Sequence, residues 1–188
     1  MGCWLSLTDG PVWEGVMRLR ALINVMAFSS VALQGSTVLS ATSETEAAKL
    51  QPPFAVASDT AGTSVAIDGD LMVVGVPHND MLGVDAGAVA IYQWNGYDWN
   101  YQGMAVSPSP VDNEYFGAAV AINDNVVAIG APGNSDLASN AGAVYVYAWD
   151  ELGFELNTTL YDGAPGADHS FGSSLSMSDA YLVAGAPY

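Results

Sequence analysis

Short apolar runs rich in β-branched residues alternate along this chain with polar breaks. Ser64-Val-Ala-Ile67 and Leu71-Met-Val-Val74 are separated only by Asp68-Gly-Asp70. Asp-Gly between two such runs predicts a tight hairpin, because glycine tolerates the positive φ that the favoured two-residue turns demand. Gly75-Val-Pro77 closes the second run, and a polar loop from His78 to Asp85 follows. Ala86 to Trp94 and Trp99 to Ala105 then read as a third and a fourth strand. The unit so described is a four-stranded antiparallel meander.

The pattern recurs. Gly62-Thr-Ser-Val-Ala-Ile, Gly117-Ala-Ala-Val-Ala-Ile and Gly172-Ser-Ser-Leu-Ser-Met superimpose at a constant offset of 55 positions. Gly75, Gly130 and Gly185 keep the same offset, as do Pro77, Pro132 and Pro187. The turn becomes Asn123-Asp-Asn125 in the second copy and Ser178-Asp-Ala180 in the third, and Phe154 to Leu160 is the second copy's fourth strand. A fixed period marks units that bury their apolar faces against neighbouring copies. Four strands in about 40–55 residues is the pattern of a propeller blade.

The expected fold class is therefore all-β: an incomplete β-propeller of about two and a half blades, each a four-stranded antiparallel meander. The blades run over residues 61–115, 116–170 and, in part, 171–188, with 42–60 leading into the first. A sandwich of similar meanders is the alternative that strict periodicity disfavours. The first two strands of each copy are apolar on both alternations, which predicts burial on both faces near the axis. The third, where Val144 and Val146 alternate with Tyr145 and Tyr147, is expected farther out.

Charge narrows the partners. Only three basic residues, Arg18, Arg20 and Lys49, stand against 20 acids, for a net charge of −17. Such a surface repels phosphate and anionic lipid and attracts divalent cations and basic ligands, so nucleic acid is excluded as the natural partner. Met17-Arg-Leu-Arg20 followed by the apolar run from Ala21 to Gly35, with small residues over Val38-Leu-Ser-Ala41, reads as a secretory signal within a leader of residues 1–41. The run is short and polar for a membrane span, and no span is expected in the mature part. If translation starts at Met17, Cys3 and Trp4 are absent from the natural product. Without Cys3, the chain's one cysteine, no disulfide framework exists. Asn157-Thr-Thr159 is an N-glycosylation sequon.

Phe116-Gly117 with Gly130-Ala-Pro132, and Phe171-Gly172 with Gly185-Ala-Pro187, resemble FG-GAP repeats, the blades of the integrin α-subunit N-terminal propeller and of many secreted repeat proteins. The resemblance extends through Ala141-Gly-Ala-Val-Tyr-Val-Tyr147 and covers about residues 50 to 188. The first copy departs from it, with Ala61 in place of Phe and Val76 in place of Ala. Integrin-type blades often carry an Asp-rich calcium loop between their first two strands. Here that turn is only Asp68-Gly-Asp70, too short to wrap a cation with six to eight oxygens, so the family's calcium site is not carried over and any calcium binding is expected to be weak.

Strand alternation sends the loops between strands two and three, and the connectors between blades, to one face. That face holds His78, Asn79, Asp80 and Asp85 in the first copy, Asn134, Asp136 and Asn140 in the second, and Asp168 and His169 in the next connector. By the resemblance it is where a protein or glycan ligand binds. Turn formation explains each of these residues singly. Catalysis has little support: the two histidines lie in different loops, and no nucleophile motif, Cys/His metal spacing or phosphate loop accompanies them. Trp94, Trp99 and Trp149 are expected to pack between blades, an exposed sugar platform being the alternative.

The expected function is a non-catalytic secreted or cell-surface binding and adhesion module. The alternatives are an accessory propeller of a secreted hydrolase and a lectin-like calcium or glycan binder. The sequence stops between a second and a third strand, so further repeats in a longer chain are expected. An open stack leaves Leu182 and Val183 uncovered on one flank, which predicts self-association.

Overall fold

The computed structural model describes residues 49–150 and 153–187, so the leader, its apolar run and Cys3 lie outside the described residues. Every strand among the described residues falls within the unit Gln51–Tyr188. The first sheet takes β1 (Val65–Asp68), β2 (Leu71–Val76), β3 (Ala88–Trp94) and β4 (Trp99–Ala105) in sequential order. The second takes β5 (Ala119–Asn123), β6 (Val126–Ala131), β7 (Ala143–Asp150) and β8 (Gly153–Leu160), also in order. A third, two-stranded sheet pairs β9 (Ser174–Met177) with β10 (Leu182–Gly185). All of these pairings are antiparallel. The architecture is all-β, two four-stranded blades and the hairpin that begins a third.

The Asp-Gly hairpin forms as the sequence predicts, with Asp68 opposite Leu71 and Gly69 at φ 54°. In the second blade Asp124 adopts the same left-handed conformation, at φ 51°. Asx residues tolerate that region better than other side chains, which is why Asn-Asp-Asn can replace Asp-Gly-Asp.

Blades stack through β1 on β5 and β5 on β9. Phe116, fully buried, fills the seam against Tyr145 and Tyr147, with ring centroids 5.4 and 6.3 Å away. Val73, Val89 and Ile91 from the first blade meet Val120, Val127 and Ile129 from the second in one core. The repeated glycines allow the approach. A Cβ on Gly75 would collide with the Gly117 carbonyl, and one on Gly130 with the Gly172 carbonyl, closer than real Cβ atoms come. The Phe-Gly of one blade thus sits on the Gly-x-Pro of the blade before it, so the two halves of the motif belong to one interface.

Burial on both faces holds for β5 and β6 but not for β1 or β9, whose residues alternate between exposed and partly covered. Val65 and Ile67 are 64% and 55% exposed, and Val183 is 63% exposed. The cause is position in the stack: β5 has a neighbour on each flank, and β1 and β9 have one. The third strands stand outside the second in each four-stranded sheet and are nonetheless well covered. β3 is buried through its first five residues, between two partner strands and under the seam. Trp94 pairs across its sheet with Trp99, at 5.5 Å, and Trp149 with Phe154, at 5.9 Å, and Trp149 also packs against the core that the two blades share. The segment before the first repeat folds onto the first blade, where Phe54 and Ala55 cover Val76 and Ala88.

Candidate ligand-binding face

The loops of this face are interlocked by their backbones. The connector into the second blade runs beside the β2–β3 loop, with the N–H groups of Asn113, Tyr115 and Phe116 donating to the carbonyls of Val84, Asp85 and Ala86 at 2.7, 3.0 and 3.0 Å. Fifty-five positions on, Asp168, Ser170 and Phe171 donate to Ser139, Asn140 and Ala141 at 2.8, 2.9 and 2.9 Å. Asp112 Oδ1 accepts from the Val84 N–H, and Asn140 Nδ2 donates to Asp168 Oδ1, each at 2.9 Å. Every polar loop is thereby held by the connector of the following blade. Long loops that would otherwise be mobile become a firm surface.

The residues marked in the sequence divide into three groups. Asp80, Asp136, Asn140 and Asp168 are exposed on the loops. Asp80 Oδ1 accepts from the Asp85 N–H, and Asp136 Oδ2 from the Tyr161 hydroxyl. His78 and His169 are half-buried and point Nδ1 at Asp85 and Asp162, both at 2.8 Å, and His78 also meets the Tyr115 ring edge-on. The Asp162 carboxyl is held below the ordinary carboxylate range, first by its hydrogen bond with His169 and next by the Ala164 N–H.

Asn79 and Asn134 are not on the surface at all, being 4% and 2% exposed. Asn79 Nδ2 donates to Asp59 Oδ2 at 2.7 Å, and Asn134 Nδ2 to Glu114 Oε1 at 3.2 Å. Asp59 and Glu114 are themselves buried and stand at the repeat's 55-residue offset, each offering its backbone carbonyl to the following loop, to the N–H of His78 and of Gly133. Around Glu114 the network widens. Oε1 also accepts from Ser107 Oγ at 2.9 Å and from the Tyr145 hydroxyl at 2.8 Å. Burial pushes both phenols beneath the face upward, Tyr147 to about 12 and Tyr145 further, with the nearby Glu114 carboxylate adding to the shift. This acid–Asn anchor was missed in the sequence. Its signal was present: an acid lies three residues before the repeat glycine in the first two copies, at Asp59 and Glu114, but the third copy has His169 there.

Between the second blade and the third hairpin the loops leave an open cleft of about 860 Å³, lined by Asn113, Tyr115, Asn140, Asp168, Ser170 and Ser173 among others. Of the residues marked in the sequence, it gathers Asn140 and Asp168. His78, Asp80 and Asp85 stand on the preceding loop. Among the described residues no three His, Cys, Asp or Glu side chains converge as a metal ion would require. The Asp68 carboxylate accepts from the Asp124 N–H of the next blade's turn, and the Asn123 side-chain amide donates to the Asp179 carboxylate of the turn after it, so the short turns clasp one another. Asn157 is the extra residue of a β-bulge on the outermost strand, exposed and opposite the step between Val146 and Tyr147.

The geometry is that of a repeat-built β scaffold presenting interlocked loops at one end, a propeller-type binding module. The FG-GAP repeat family profile matches residues 45–92 and 99–147, just over half of the chain, and the chain belongs to that family. The second match begins with β4 and ends in β7, so the profile frames its unit one strand earlier than the blade. No curated protein matches the chain. Among the described residues no helix is long and apolar enough to cross a membrane.

Proposed function

We propose that the chain is a non-catalytic binding and adhesion module, secreted or displayed at the cell surface, which takes a protein or glycan ligand on its long-loop face. The observation that carries this reading is the cleft between the second blade and the third hairpin. Its rim is amide, hydroxyl and carboxylate on firmly held loops, the chemistry that recognises sugar hydroxyls or polar peptide. Extracellular placement rests on the family, whose repeats are typical of extracellular proteins, and on the apolar run behind Arg18 and Arg20. The non-catalytic part is supported by both histidines acting as loop staples with their aspartates. No cofactor is required, and any calcium affinity is weak.

The test is to probe the 188-residue chain against arrays of glycans and of extracellular proteins, with and without a calcium chelator. Ser173→Arg places a bulky cation in the cleft, and Ala180→Arg places one on the opposite, short-turn face. Binding that survives chelation and Ala180→Arg but is lost in Ser173→Arg supports the reading. Binding lost only in Ala180→Arg overturns it.

A further inference from the structure

Asn95 is the only asparagine of the sequence that a glycine follows. It opens the turn Asn95-Gly-Tyr-Asp98 between β3 and β4, and all four residues of that turn are exposed. Its Oδ1 accepts from the N–H groups of Tyr97 and Asp98, at 2.8 and 2.9 Å. These donors polarise the side-chain carbonyl and stand where negative charge develops on its oxygen when a nucleophile adds to Cγ. The nucleophile adjoins it. Gly96 has no side chain to screen its nitrogen, nothing lies within 4 Å of where a Cβ would stand, and its N–H donates to no group among the described residues. We infer that Asn95 is a site of spontaneous covalent modification, at which the backbone nitrogen of Gly96 displaces the side-chain amide.

The step needs only water. The N–Cγ bond forms as the Gly96 nitrogen gives its proton to solvent, the Cγ–Nδ2 bond breaks, and Nδ2 leaves as ammonia. The resulting five-membered succinimide takes up water at either carbonyl. Opening at Cγ gives aspartate, and opening at the backbone carbonyl gives isoaspartate, in which the chain runs through the former side chain and is one carbon longer. Nothing is oxidised or reduced, and either product adds one negative charge. The second blade shows which product the fold accommodates. Asp150 stands at the position of Asn95, offset by the repeat, and its Oδ1 accepts from the Gly153 N–H at 3.1 Å, the counterpart of the Asp98 N–H. Aspartate therefore keeps the cap. Isoaspartate displaces it, and also the bond from the Asn95 N–H to the Asp98 carbonyl at 3.2 Å, in a turn bracketed by the Trp94–Trp99 ring pair. The inference concerns the short-turn end of the first blade and is independent of the ligand reading.

The experiment incubates the 188-residue chain in mildly alkaline buffer at physiological temperature and follows its chymotryptic peptides by mass, beside Gly96→Ala, Asn95→Gln and Asn95→Asp. The peptide that holds Asn95 should gain the mass of an amide-to-acid exchange and split into two chromatographic forms. It should do so about tenfold or more faster than those holding Asn100, Asn113 or Asn140, which are also exposed. Gly96→Ala, whose methyl screens the nitrogen, should slow the change about tenfold or more. Because φ 97° strains an alanine there, Asn95→Gln is the second control: its longer arm cannot close the five-membered ring, and conversion should stop. Asn95→Asp should keep the wild-type tryptophan emission, and the isoaspartate form isolated from aged protein should not. Retention of the Asn95 amide while another asparagine converts, or conversion of Gly96→Ala at the wild-type rate, overturns the inference. An altered emission in Asn95→Asp overturns the accommodation of aspartate.

Discussion

Glu114 is the most informative side chain to perturb, because it is fully buried and its Oε1 gathers three donors while its Oε2 meets none. Glu114→Ala removes the acceptor. Hydrogen bonds to a charged group are worth about 1.5–3 kcal/mol each, but Ser107 and Asn134 retain the Tyr145 hydroxyl as a second partner, at 3.3 and 3.1 Å. The net loss is then one to two such bonds, about 3 kcal/mol. Glu114→Gln keeps an oxygen at Oε1 and puts an amide nitrogen where Oε2 had no partner. The unsatisfied N–H group costs about 1–3 kcal/mol, and relief from burying a charge returns several kcal/mol. Because both variants remove the charge, Gln differs from Ala chiefly in keeping an acceptor for Ser107, Asn134 and Tyr145, and should be the less costly of the two by about 1 kcal/mol or more. Urea unfolding followed by tryptophan fluorescence measures both, with an unchanged m-value as the check that the endpoints are the same. A cost below about 1 kcal/mol for Glu114→Ala, or equal costs for Ala and Gln, would refute the reasoning.

Three further outcomes follow from the seams and the titrating groups. Gly130→Ala drives a Cβ into the Gly172 backbone and should cost about 1–3 kcal/mol, whereas Gly163→Ala, with nothing within 4 Å, should change stability by less than about 0.5 kcal/mol. Asp162 should titrate below 3.8 by NMR and move back toward it in His169→Ala. Its depressed folded value stabilises the fold above pH 3.8, and that contribution is lost as pH falls through the folded value. Tyr147 has a raised folded value, so its contribution is complete below the ordinary phenol value of 10.0 and is lost as pH rises through about 12. Ultraviolet difference titration should therefore show phenolate absorbance from Tyr147 only as pH approaches about 12.

What could be read in the sequence and what could not divides along a physical line. Strands, turns and blade order were legible because side-chain pattern and φ requirements are local: Asp68-Gly69-Asp70 makes a hairpin in isolation. The Gly-Phe closures were legible as a motif, since only glycine fits against a neighbouring carbonyl. The loop clasp was not, because it runs from backbone N–H to backbone C=O between residues 29 or 30 positions apart, and such bonds leave no residue signature. Asn79 and Asn134 illustrate the cost. As Asx residues in polar loops they read as surface groups, and only the structure turns them inward to Asp59 and Glu114. The exposed first flank was equally hidden, because Val65 and Val120 have the same local sequence and differ only in having a neighbour.

The central claim, that each loop is held by the connector of the next blade so that stacked repeats present one firm face, is tested most directly by native-state hydrogen exchange. The N–H groups of Asn113, Tyr115, Asp168 and Ser170 lie outside every strand yet donate across blades, so they should exchange slowly, in step with those of β6 and β7. If they exchange as fast as those of the exposed turn at Tyr97 and Asp98, the loops are free, and the interlocked face does not exist in solution.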